Sequence, residues 1–221
     1  MSAYVYPRII KFLRGEAFDT KIRTLAEMQR YPSWKLERSH DVLQWMFPTD
    51  IKSKSYDEAP ILTLEYIQCI QADKEIQSAI RSSLNRMLAF YEENDYWVSQ
   101  RNHNFKRLTR ILRCLWLAGL KRDYVCLQKA LDEVYVDYAD IVGEETYSYW
   151  KNANNDEFMK NPLKRAIVIP PPGTKIIELP KSSVSIVPVG STLDDEQAKM
   201  QAISMQKAEE EMSNPYAHWF C

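Results

Sequence analysis

The strongest concentration of one charge lies between residues 101 and 122, where seven side chains are basic and none is acidic. Four of them, Lys106, Arg107, Arg110 and Arg113, share one side of a predicted helix that begins near Asn104. Arginine binds phosphates and carboxylates through paired hydrogen bonds. The segment therefore predicts either a site for an anionic small molecule, an acidic peptide or nucleic acid, or a solvated helix face neutralised by acidic residues from elsewhere.

Two histidines, His40 and His103, lie beside other polar residues that could form a ligand-binding site. His103 stands beside Asn104 at the start of the basic helix, where backbone N–H groups also favour anions. His40 and Gln44 lie on the polar flank of another predicted helix, whose far side carries Trp45. In one interpretation, His40 and Gln44 line a pocket beside an exposed Trp45. In the other, His40 is a hydrogen-bonded boundary residue and Trp45 packs on a neighbouring element.

Known catalytic and cofactor motifs are absent from the sequence. It contains no phosphate-binding loop, dinucleotide-binding fingerprint, serine-hydrolase elbow or zinc-protease motif. With three histidines and four cysteines that form no C-x-x-C pair, the sequence predicts no metal and no other cofactor. Nothing in these patterns indicates catalysis, although the 30 acidic residues leave a carboxylate pair open.

Composition favours a globular protein of the cytoplasm. The hydrophobic share of 45% and the charged share of 27% are typical of a chain that closes a core. No apolar run reaches the roughly 18 residues that a membrane span requires, and the first residues show no cleavable signal. Scattered cysteines fit reduced thiols in the cytosol. We therefore expect a cytoplasmic protein without a membrane partner.

Apolar residues at helical spacing predict a mainly α fold, a multi-helix orthogonal bundle. Ser33, Thr63, Asp73 and Asn104 are predicted N-caps, and Pro48 is predicted to end the helix that carries His40. Gly119 and Gly143 are predicted helix boundaries. The predicted helices cover about 9–13, 24–28, 33–47, 63–70, 73–91, 104–119 and 123–141, with a short one after 143.

Composition changes at Pro162, because seven of the 11 prolines lie from that residue onward. Short β-branched runs between prolines predict an extended or β arm, and the polar segment from Thr192 predicts a terminal helix. We therefore divide the chain into a helical domain, 1–161, and an arm with a polar C-terminal helix, 162–221. The arm is expected to pack on the helical domain, on a protein partner or on a second copy.

Five sequence blocks resemble the conserved region of the opioid growth factor receptor family over about residues 12–150. They are FLRGEAFDTKIRTLAEM, HDVLQWMFP, PILTLEYI, RMLAFY and HNFKRLTRILRCL. The sequence departs from the family pattern at Val42 and Met46, and Phe105 and Lys106 are inserted. The resemblance implies a helical domain, and the compact build is similar to the small bacterial members. Vertebrate members are described as receptors for an enkephalin peptide and carry long repeats that this sequence lacks.

Three hypotheses follow for function. The first is a helical ligand- or protein-binding module that holds an anionic or peptide ligand between the two histidine segments. The second is an enzyme acting on a phosphorylated or nucleotide-like substrate, with a histidine as acid or base and arginines binding the anion. The third, weakened by a net charge of -1, is nucleic-acid binding through the basic helix. The predicted ligand-binding residues are His40, Gln44, Trp45, His103, Asn104, Arg107 and Arg110.

Overall fold

The computed structural model describes residues 7–161, and this part of the chain is built from α-helices. Its backbone forms nine helices, one 3-10 turn at Asp95–Trp97 and no strand, apart from an isolated bridge between Thr49 and Ile61. The helices are α1 Arg8–Leu13, α2 Leu25–Gln29, α3 Ser33–Arg38, α4 Val42–Met46, α5 Leu64–Ala72, α6 Lys74–Glu93, α7 Asn104–Leu117, α8 Lys121–Lys151 and α9 Asp156–Lys160. The prediction of a mainly α fold is confirmed. The predicted arm and terminal helix lie outside the described residues.

Helix α6 is the long core helix that its sequence predicts. The Asp73 carboxylate caps it by accepting hydrogen bonds from the backbone N–H groups of Glu75 and Ile76, at 2.9 and 3.2 Å. Arg14 pairs with the same carboxylate, which joins α1 to the start of α6. Its apolar residues recur at helical spacing and are all buried: Ile76, Ile80, Leu84, Met87, Leu88 and Tyr91.

Helix α7 is buried on nearly all sides and packs against α8. It ends where predicted, because Gly119 adopts a φ of 72° that L-residues rarely take. The backbone N–H of Leu120 donates to the Leu115 carbonyl, and that of Gly119 donates to the Trp116 carbonyl. These two bonds form a Schellman motif, which satisfies carbonyls that the helix end leaves unpaired.

Helix α8 contains two straight parts joined by a reversal. Tyr138 and Gly143 have non-helical backbone angles. This interruption agrees with the predicted helix boundary between residues 141 and 143. The second part folds back on the first. Tyr135 and Tyr147 stack with ring centroids 3.8 Å apart, and Lys151 pairs with Asp132 at 3.0 Å. None of the helices among residues 7–161 has the length and apolar character needed to cross a membrane.

The prediction of one helix over residues 33–47 is wrong, because α3 and α4 are separate helices. Ser39 has an extended backbone, with φ −94° and ψ 94°, which interrupts the helix before His40. Asp41 then begins α4, and its carboxylate is held by Arg23 at 2.7 Å and by Lys21 at 2.8 Å. These ion pairs come from a distant loop, so the local spacing of apolar residues contains no signal for the break.

Two predicted caps also differ from the structure. Pro32 rather than Ser33 is the N-cap of α3, and the Ser33 hydroxyl instead bonds to Glu93 and Arg86. His103 rather than Asn104 occupies the N-cap position of α7. Thr63 caps α5 as predicted, by accepting a hydrogen bond from the Tyr66 N–H.

Candidate functional site

The two histidine segments converge where the turn between α3 and α4 crosses the start of α7. The rings of His40 and His103 meet edge to face, with centroids 5.3 Å apart. Arg107 holds the crossing together, because its guanidinium donates to the backbone carbonyls of Leu36 and Glu37 at 3.0 and 2.9 Å. The fold therefore brings His40, His103 and Arg107 to one place, while Arg110, the fourth residue of the hypothesis, bonds to the Phe47 carbonyl.

Glu37 lies at the centre of this cluster and was missed by sequence reasoning. Its carboxylate accepts hydrogen bonds from Asn104 Nδ2 at 3.1 Å and from Arg107 Nη1 at 3.2 Å. Its other oxygen lies 3.5 Å from His103 Nε2, too poorly aligned for a hydrogen bond, so the contact is an ion pair only when His103 is protonated. Burial lowers the pKa of His103, and the charge of Arg107 lowers it further, while Glu37 opposes both. Burial and Arg107 together thus favour the neutral form of the His103 imidazole.

The side chain of Asn104 contacts both Glu37 and Arg107 from the buried side of the cluster. The side chain is fully buried, and its amide nitrogen donates to Glu37 and to Asn102 Oδ1. Its oxygen accepts a hydrogen bond from Arg107 Nη1 at 3.1 Å. Asn104 therefore orients Glu37 and Arg107 and is not accessible to a ligand itself.

Arg113 is one of two arginines of α7 whose charge is neutralised inside the protein. Its guanidinium is fully buried and bonds to Asp50 at 2.7 and 3.0 Å, to Asp156 at 2.6 Å and to the Ala153 carbonyl at 3.1 Å. Burial alone lowers the pKa of Arg113, but the hydrogen bonds to both carboxylates outweigh it and raise the pKa. Of the four residues on the predicted basic face, Lys106 is exposed and Arg110 is partly buried, whereas Arg107 and Arg113 are buried and neutralised by acidic residues from elsewhere.

Arg110 is the exception on this helix. It is partly buried, and one guanidinium nitrogen donates to the Phe47 carbonyl at 3.0 Å. Among residues 7–161 no carboxylate pairs with it. Burial lowers the pKa of Arg110 to about 10, in contrast to Arg113 one turn later. A cation taken from water without a counter-ion is costly, and such groups are frequent at binding sites.

Gln44 and Trp45 are buried parts of the α4 core. Trp45 is only 3% exposed, and its ring meets that of Phe12 edge to face at 5.1 Å. The interpretation of Trp45 as an exposed aromatic surface is therefore wrong, and its packing on a neighbouring element is confirmed. Gln44 is 6% exposed, and its amide nitrogen lies 3.5 Å from the Ser53 hydroxyl. Gln44 Oε1 and Trp45 Nε1 have no hydrogen-bond partner within the described part of the chain.

The loop before α2 fixes the position of His40. The buried carboxylate of Asp19 accepts hydrogen bonds from the backbone of Lys21 and Arg23 and from the Arg23 guanidinium. Arg23 reaches on to Asp41, the residue after His40. A buried carboxylate thus anchors the turn that presents His40. Residues 7–161 contain no group of three or more His, Cys, Asp or Glu side chains that could hold a metal ion.

Comparison with known proteins gives a family match that includes the predicted ligand-binding residues, from His40 to Arg110. The family model described as the opioid growth factor receptor (OGFr) conserved region matches residues 18–165. Opioid growth factor receptors of Rattus norvegicus and Mus musculus are each 26% identical over alignments of 112 residues, and the matches cover 40% of this chain. The alignments cover 19% and 18% of those relatives, so the chain spans about a fifth of their length. No solved structure matches it.

Proposed function

Since this chain belongs to the opioid growth factor receptor conserved-region family, whose matched relatives are named receptors, we propose that it is a helical ligand-binding module that captures an anionic group at Arg110. The observation that carries the proposal is the lack of a counter-ion for Arg110 among residues 7–161. Arg107 and Arg113, its neighbours on α7, have carboxylate partners within the fold.

The chemistry of the guanidinium supports an anionic ligand. Arginine carries five N–H donors in a rigid fork, and Arg110 uses one nitrogen for the Phe47 carbonyl. Its remaining donors suit a carboxylate or a phosphate, which accept two parallel hydrogen bonds from such a fork. An anion there would also supply the charge that burial of Arg110 leaves uncompensated, so ligand binding and protein stability are coupled.

The histidine pair extends the proposed site along α7. His103, Arg107 and Arg110 follow each other at helical spacing on one side of the helix. Because an α-helix rises about 1.5 Å per residue, a ligand touching both Arg110 and His103 spans about 10 Å. That is the length of about three extended peptide residues. An acidic peptide and a smaller anionic metabolite are therefore both compatible with this site.

The proposal is tested by thermal unfolding of the full chain with acetate, inorganic phosphate and short acidic peptides. At least one of these anions should raise the melting temperature of the wild type, because a ligand of the folded state stabilises it. Arg110→Met should abolish that rise. Arg122→Met, which removes an exposed basic residue just beyond α7, is the matched control and should leave it unchanged. An equal rise in wild type and Arg110→Met would refute the proposed site.

A second candidate function, catalysis, is favoured by the contact between Glu37 and His103. The Glu37 carboxylate, 3.5 Å from His103 Nε2, would stabilise the imidazolium that forms when a neutral His103 accepts a proton, as a general base does. Substrate turnover by the wild type that His103→Ala abolishes, while Arg110-dependent anion binding persists, would establish this function. Binding without turnover of any phosphorylated or nucleotide-like compound supports the binding module.

A further inference from the structure

Aromatic and basic side chains alternate on the outward side of α3 and the segment before it. Trp34 is 62% exposed, and the Arg38 guanidinium lies 5.9 Å from its ring centroid. The Lys35 ammonium lies 3.5 Å from the ring centroid of Tyr31. Arg30 is exposed, and both it and Lys35 lie close enough to Glu27 for their charges to act on that carboxylate. We term this group of side chains the α3 stripe. Its residues are Arg30, Tyr31, Trp34, Lys35 and Arg38.

The positive charge of the α3 stripe is only partly neutralised by nearby acids. Glu27 is close enough to Arg30 and Lys35 for their charges to act on it, but its carboxylate is already bonded to the Thr24 N–H at 2.6 Å. That hydrogen bond is the main reason that the pKa of Glu27 is lowered. Two further carboxylates lie on or against α3, but both are bonded elsewhere: Glu37 to Asn104 and Arg107, and Glu93 to the Ser33 hydroxyl. The charges of Arg30, Lys35 and Arg38 are therefore only partly neutralised.

We infer that the α3 stripe binds single-stranded nucleic acid, with a base stacked on Trp34 and phosphates bound by Arg38, Lys35 and Arg30. An exposed indole ring is a platform for any base, because every base has a flat π face. Neighbouring arginine and lysine supply the phosphate contacts that such platforms require. Nucleic-acid binding is thereby assigned to α3, because Arg107 and Arg113 of α7 are already paired with carboxylates within the fold.

The geometry favours a single strand over other polyanions. In a duplex the bases are stacked on each other, so their faces are not available to an indole ring. An acidic protein would satisfy the cations but has no recurrent flat ring for Trp34. A membrane surface prefers a long amphipathic helix with a broad apolar face, whereas α3 has six residues. The α3 stripe contains none of the residues proposed to bind an anion at Arg110, so its function does not depend on that of Arg110.

The test is fluorescence anisotropy of the full chain with a fluorescein-labelled oligothymidylate at low salt. Each phosphate contact on a single strand contributes about −0.7 to the slope of log affinity against log salt, so three cations predict a slope of about −2. Trp34→Ala should weaken binding about tenfold, and Trp34→Phe should retain most of it. Lys106→Gln, which removes an exposed cation of α7, is the control and should change nothing.

Four outcomes overturn the inference. They are unchanged binding by Trp34→Ala, equal binding of a blunt-ended duplex, equally effective displacement of the oligonucleotide by polyglutamate, and Trp34-dependent sedimentation with phosphatidylserine vesicles in place of oligonucleotide binding. The polyglutamate result would indicate an acidic protein partner, and the vesicle result a membrane surface. Because Trp34 is exposed, its variants are expected to fold, which unchanged melting temperatures would verify.

Discussion

Replacing Arg110 by methionine should stabilise the protein in the absence of ligand, or leave its stability unchanged. Methionine retains much of the length and the apolar stem of arginine but removes the charge. Most substitutions of partly buried residues destabilise a protein by about 1 kcal/mol. A neutral or stabilising result at such a position would therefore be informative. It would show that the guanidinium is retained for a reason other than folding.

The magnitude follows from two opposing effects. The lowering of the Arg110 pKa from 12.5 to about 10 corresponds to a cost on the order of 3 kcal/mol for the charged form. Removing the side chain leaves the Phe47 carbonyl without its hydrogen bond, which costs about 1–3 kcal/mol. The expected net change is a gain of about 0–2 kcal/mol. For a domain of this size that is a rise in melting temperature of roughly 0–8 °C.

Arg113→Met is the matched control, on the same helix and one turn away. It leaves the buried Asp50 carboxylate with only Lys160, 2.8 Å away, as its cation, and should cost about 3 kcal/mol, or roughly 6–12 °C. Both variants are measured by thermal and urea unfolding in a buffer of low anion content. If Arg110→Met is destabilised as strongly as Arg113→Met, the Arg110 charge is compensated within the fold, and the argument for an anion site fails.

Four further outcomes are expected. The free energy of unfolding should fall as pH drops below 6.5, because the lowered pKa of His103 makes the unfolded chain bind the proton more readily; His103→Gln should remove that part of the dependence in melts from pH 7.5 to 5. Arg23→Met should cost about 3–5 kcal/mol in urea unfolding, since it leaves the buried Asp19 carboxylate without its cation. Gly119→Ala should cost about 1–2 kcal/mol by the same measurement, because alanine is strained at positive φ. Residues 1–161 should fold alone, with cooperative melting and helical circular dichroism. If residues 162–221 mediate self-association, light scattering after size-exclusion chromatography should give the full chain a multiple of its monomer mass and residues 1–161 their monomer mass.

Sequence patterns predict the long helices well, because their signals are local. The Asp73 cap, the apolar stripe of α6 and the glycine that ends α7 each depend on residues within a few positions of each other. The break between α3 and α4 depends on Arg23 and Lys21, which are distant in sequence and bind Asp41 only in the fold. Periodicity alone therefore joins two helices that a remote ion-pair network separates.

The candidate site was located by sequence, but its electrostatics were not. Charged residues on one side of a predicted helix are solvent-exposed only if no oppositely charged residue from a distant part of the sequence packs against them. Asp50 and Glu37 lie far from α7 in sequence, and neither stands in a motif that marks it as a partner of arginine. His40 and His103, which lie at the edges of two predicted helices, meet in the fold. Within residues 7–161, Arg110 is the one arginine of α7 that lacks a carboxylate partner. Only the three-dimensional structure reveals this, because the partners of Arg107 and Arg113 are distant in sequence.

The bonds from Arg107 to the carbonyls of Leu36 and Glu37 have a consequence for the order of folding. A helix of six residues does not persist alone in water, because the nucleation cost exceeds what so few bonds return. Helix α3 therefore gains its last turn only after α7 has formed and Arg107 has arrived from about 70 residues away. The turn that carries His40 should accordingly be among the last parts to acquire hydrogen-exchange protection during refolding, and among the first to lose it when α7 is weakened.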